Sequence, residues 1–105
     1  MGHESLERWI REKVAGGTFR VRLHALLRSN ERGIMPAEIK TALLSAVIVE
    51  DYPDDPRGHS CLVWGRTPGR DLHLVCGISD DMLWIVTVYE PNQEAWETPE
   101  RRRPK

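Results

Sequence analysis

The chain has 105 residues, 40% hydrophobic and 30% charged, with a formal net charge of −1. That is the length of one domain with one core, and the balanced charge excludes a strongly basic or acidic polyelectrolyte. The longest nearly apolar run, residues 42–49, is far shorter than the roughly 20 residues a membrane-crossing helix needs.

Glu4 and Glu7 stand where a secretory signal would be basic and then apolar, so a cytoplasmic location is expected, with no membrane partner. Residues 5–14 carry Leu6, Trp9, Ile10 and Lys13 at helical spacing behind Ser5, and Gly16 and Gly17 end the pattern. A second helix is predicted over residues 21–31, with Leu23, Leu26, Leu27 and Ile34 as its core stripe and Gly33 as a left-handed terminator. A third, short helix opens at Pro36 and places Ile39, Ala42 and Leu43 on one face.

From Ala46 the period changes. Residues 47–51, 60–65, 71–77 and 82–89 are short, rich in Val, Ile, Leu and Trp, and separated by Pro, Gly or Asp clusters, the pattern of a four-stranded meander. The expected fold is therefore α+β, two to three N-terminal helices packed on one four-stranded antiparallel sheet. Residues 1–97 form the domain and residues 98–105 a charged, flexible tail.

Between the first two strands, residues 50–65 hold four carboxylates, His59 and Cys61. Pro53 and Pro56 push their predecessors out of helical geometry, and Asp-Pro-Arg-Gly is turn chemistry, so the stretch reads as a loop. Asp54, Asp55 and His59 offer oxygen and nitrogen ligands, but without the spacing of an EF-hand. Cys61 and Cys76 lie in apolar runs and read as core. A zinc site with His59 and His73 is the alternative, but it lacks tight Cys-x2-Cys knuckles. No metal or other cofactor is expected.

Charge is unevenly spread. Arg20, Arg22, Arg28 and Arg32 face one acid, Glu31, whereas residues 38–55 hold five acids against Lys40. His24, Arg28 and Arg32 recur every four residues and form one row. That row is either a solvated basic face or an anion site, with arginines gripping phosphate and His24 moving a proton. On the last strand, alternation puts Leu83, Ile85, Thr87 and Tyr89 on one face and Met82, Trp84, Val86 and Val88 on the other. Asp71, His73 and Val75 point together, opposite Leu72, Leu74 and Cys76. Pairing Gly77 with Met82 sets His73 opposite Val86, and a slip of one sets it opposite Thr87, so whether His73 shares a face with Tyr89 stays open.

The segments His24-Ala-Leu-x-Arg28-x-x-x-Arg32-Gly33-Ile34, Glu38-Ile-x-x-Ala-Leu, Val49-Glu-Asp-Tyr52, Asp55-x-x-Gly58-x-Ser60-Cys-Leu-Val, Leu72-His73-x-Val-Cys76 and Ile85-x-Thr87-Val-Tyr89 resemble a small bacterial domain of unknown function (DUF4258-like) related to RelE-like and MqsR-like toxins. The resemblance spans about residues 22–97. It implies a RelE/barnase-like ribonuclease architecture and the toxin of a type II toxin–antitoxin pair. The implied activity is metal-independent cleavage of messenger RNA, free or on ribosomes, with a zinc-finger YgiT-like protein as antitoxin.

Under that reading His24 or His73 is base or acid, Arg28 and Arg32 hold phosphate, and Tyr89 orients it or donates a proton. Arg20, Arg22 and Thr87 complete the RNA contacts. The alternative is a non-catalytic module that docks a protein through its sheet or basic helix, with Trp64, Trp84 and Trp96 as anchors. Convergence of the His24 row and the strand residues on one concave site favours the enzyme. Separate faces favour the module.

Overall fold

A computed structural model describes residues 3–104; Lys105, counted above with the tail, lies outside them. Three helices, α1 (Glu4–Ala15), α2 (Leu23–Glu31) and α3 (Pro36–Leu43), precede four long strands, β2 (Val47–Tyr52), β3 (Ser60–Arg66), β4 (Asp71–Ser79) and β5 (Met82–Tyr89). Three short strands join them: β1 (Phe19–Val21), β6 (Trp96–Thr98) and β7 (Arg101–Arg102). The main sheet has the order β1-β5-β4-β3-β2, and β6 and β7 form a separate hairpin.

The expectation of four antiparallel strands is corrected by β1, which pairs parallel to β5 through Phe19↔Leu83 and Val21↔Ile85. The sheet is thus five-stranded and mixed. Three residues between a helix stop and a helix start carry no readable period, so Phe19-Arg20-Val21 merges with the run into α2. The predicted tail boundary at residue 97 falls inside the β6–β7 hairpin.

The core lies between the helices and one face of the sheet. Ile10 and Val14 of α1, Ile39, Ala42 and Leu43 of α3, and Ile34 meet Val63, Leu72, Leu74, Cys76, Leu83 and Ile85. α3 opens at Pro36, and Glu38 accepts the Met35 N–H at 3.0 Å. The predicted leucine stripe of α2 is also corrected: Leu23, Leu26 and Leu27 are exposed, and the helix packs on β5 through Ala25 and Ser29. Small residues let the helix approach the sheet closely, which turns its bulky side chains outward. Gly33, at φ 72°, ends α2 as expected.

Two features of the β4–β5 hairpin set the opposite, open face of the sheet. Asp80 and Asp81 both take positive φ in a tight turn, so Ser79 pairs with Met82. A bulge at Val86 then shifts the register by one, bringing Val75 opposite Thr87 and His73 opposite Tyr89. The expected alternation along β5 therefore breaks at Val86. Val88 joins Leu83 and Ile85 in the core, while Thr87 and Tyr89 share the open face with Trp84.

Candidate functional site

The open face divides into a covered half and a free half. In the covered half the β6–β7 hairpin lies over His73, whose ring meets Trp96 edge-on at 4.5 Å and Tyr89 at 5.4 Å. His73 Nε2 donates to the Pro99 carbonyl at 2.6 Å, which leaves Nδ1 as a buried acceptor without a partner among the described residues. Burial holds this imidazole below its ordinary pKa, because the charged form would be desolvated and its second N–H unmet. Burial likewise raises the Tyr89 phenol. Arg102 fastens the hairpin through a forked pair to Glu50 at 2.7 and 3.0 Å while lying 4.4 Å over Trp96. The Arg102 guanidinium keeps the Glu50 carboxyl below its usual range, and Tyr52 donates to the same carboxylate.

The free half is a groove of about 440 Å³. Val75, Gly77, Trp84 and Thr87 form its floor. The loop after β2 supplies Arg57 and His59 along one side, and Arg22, at the start of α2, closes another with its guanidinium 4.3 Å over Trp84. The loop is rigidly tied. Asp55 accepts the Arg57 N–H at 3.0 Å and the Ser60 hydroxyl at 2.7 Å, and with the Arg57 side chain these hold its carboxyl down to about 2.

This tethering delivers His59 to Asp51, eight residues earlier on β2, at 2.6 Å between Nε2 and Oδ1. A carboxylate can only accept, so Nε2 is the donor and Nδ1 carries the ring's lone pair. Asp51 stands opposite Cys61, so it holds the ring from the helix-packed side and lies outside the groove's lining, which His59 shares with Arg22, Arg57 and Trp84. An imidazole, two guanidiniums and an indole in one groove are parts for proton transfer next to a bound anion.

The candidates singled out in the sequence are scattered. His73 and Tyr89 do meet, but His73 is buried under the hairpin and Tyr89 is half-buried beside it. Arg22 and Thr87 line the groove. His24 is exposed on α2, and Arg28 reaches only Glu31, at 4.0 Å. Arg32 donates to the Val88 carbonyl at 2.7 Å, an anchoring role, and Arg20 is exposed on β1. The helix row and the strand pair thus do not build one concave site.

His59 and Asp51 were missed as a pair because the link between them is a loop conformation. The usable signal was the doubly proline-braced turn that returns the chain on itself. Cys61 and Cys76 pair across β3 and β4 inside the core, on the other side of the sheet from His73, so the zinc alternative lacks a common side. Among the described residues, no three His, Cys, Asp or Glu side chains converge as a metal cluster, and no helix is long and apolar enough to cross a membrane.

A family model described as a domain of unknown function, DUF4258, matches residues 21–90. No curated protein and no solved structure matches the chain. The match covers all of α2, α3 and β2 to β5, hence the whole groove, and it carries no activity with it. Kinship to RelE-like and MqsR-like toxins rests on the resemblance in the sequence alone.

Proposed function

The chain belongs to the DUF4258 family, and from that premise we propose that it is a metal-independent endoribonuclease whose reaction takes place in the groove on the open face of the sheet. The observation that carries this reading is one groove lined by His59, Trp84, Arg22 and Arg57, with Asp51 outside the lining holding the His59 ring at 2.6 Å.

A base stacks on the indole or on the guanidinium plane above it, interactions that tolerate any sequence. Arg57, whose side chain is 90% exposed, and Arg22 hold the phosphate. His59 Nδ1 takes the proton of the ribose 2′-hydroxyl, and the 2′-oxygen attacks phosphorus. The bond from phosphorus to the 5′-oxygen then breaks, and that oxygen takes the proton back from the imidazolium. Asp51 holds the ring and stabilises the imidazolium between the two transfers. The arginines face the charge that builds on the phosphorane. The toxin role extends this reading: messenger RNA is the substrate and a YgiT-like zinc-finger protein the inhibitor.

Single-stranded RNA incubated with the purified chain in excess chelator should yield fragments ending in 2′,3′-cyclic phosphate and 5′-hydroxyl. Intact RNA in the presence of folded protein would reject the reading. A second reading, a non-catalytic protein-docking module, is favoured by the separation of the helix row from His73 and Tyr89 and by the exposed leucines of α2. Under it no such fragments form.

A further inference from the structure

α2 carries more apolar surface than the fold uses. Its buried side consists of Ala25 and Ser29, while Leu23 is 70%, Leu26 37% and Leu27 56% exposed. Spacings of three and four residues place the three leucines on one strip, and three in five residues are a patch rather than scattered surface leucines. The strip is rimmed by positive charge. Arg22 and Arg28 are exposed at its two ends, the first turn of the helix holds no acid, and the helix's own carboxylate, Glu31, stands 4.0 Å from Arg28.

We infer that this face docks an acidic amphipathic helix of a partner protein, whose apolar stripe covers the leucines while its flanking carboxylates meet Arg22 and Arg28. Anchors at i, i+3 and i+4 are the pattern by which amphipathic helices recognise one another. Charge selects the partner over a second copy of this chain. A two-fold contact would lay the strip against itself and set arginine against arginine across the interface. This inference shares Arg22 with the ribonuclease reading, but Leu27 and Arg28, which its test probes, lie outside the groove.

Two synthetic helical peptides with the same leucine stripe, one flanked by Glu and the other by Lys, test it by titration into the isotope-labelled full chain. The Glu peptide should shift α2 amides and bind roughly tenfold or more tightly than the Lys peptide, with affinity falling as salt rises. Leu27→Asp should remove binding, and Arg28→Glu should invert the preference between the peptides. If Leu27→Asp melts early, Arg28→Glu alone carries the test. Equal affinity for both peptides, no binding of either, or shifts confined to other elements would overturn the inference. A chain that sediments as a dimer and is dispersed by Arg28→Glu or Leu27→Asp would assign the face to a second copy and overturn it as well.

Discussion

Gly65→Ala tests whether α3 and β3 sit as close as the structure places them. An added Cβ at Gly65 would stand 2.5 Å from the Ala42 carbonyl carbon and 2.7 Å from its Cβ, with the carbonyl oxygen nearer still. Ordinary contact begins at 3.4 Å, and the obstacle is helix backbone rather than the end of a flexible side chain. The helix must therefore retreat by roughly an ångström, and overpacking of this kind costs about 2–3 kcal/mol. At roughly 4–8 °C per kcal/mol for a domain near this size, the melting temperature should fall by about 10 °C or more. Gly69→Ala is the control, since nothing lies within 4 Å of its added Cβ. Thermal melts by circular dichroism decide. A Gly65→Ala melt within about 2 °C of the parent would refute the close helix–sheet contact.

Two further predictions concern the covered half of the sheet. Because burial holds His73 below its ordinary 6.5, the unfolded chain binds that proton more readily, so stability is full above pH 6.5 and declines as pH falls below it. His73→Asn, which keeps a donor for Pro99 but does not titrate, should flatten that slope in melts taken from pH 8 to pH 5; an unchanged slope contradicts the assignment. Trp96→Ala removes the ring packed 4.5 Å from His73, and should cost about 3 kcal/mol while returning the His73 titration toward 6.5 by NMR. An unmoved titration would mean the hairpin does not cover the histidine.

The parts of the fold legible in the sequence were those long enough to show a period. Residues 5–14 alternate at helical spacing and are α1, extended by one residue at each end, and the four runs after Ala46 are β2 to β5. β1, β6 and β7 have two or three residues each, too few for a pattern, and they are what make the sheet mixed and half-cover its open face. The leucines of α2 misled because size was read as burial, whereas the close approach to β5 needs Ala25 and Ser29. The bulge at Val86 decided the facing of Thr87, Val88 and Tyr89, and no side-chain pattern announces a single extra residue. Arg22 and Thr87, singled out in the sequence, line the groove. His59 was legible as a loop residue and a possible ligand, and Asp51 as a strand residue, but not as partners, since tertiary folding of residues 52–58 brings them together.

In the proposed ribonuclease, chemistry belongs to His59 in the groove and to neither the row on α2 nor the covered histidine. The direct measurement is the rate of RNA cleavage by the parent chain, His59→Ala, His24→Ala and His73→Asn, each verified as folded by its melt. Loss of a general acid or base of this kind should lower the rate about 10²–10⁴-fold in His59→Ala, with His24→Ala and His73→Asn within a few-fold of the parent. Full activity in His59→Ala, or loss confined to His24→Ala, would contradict that assignment.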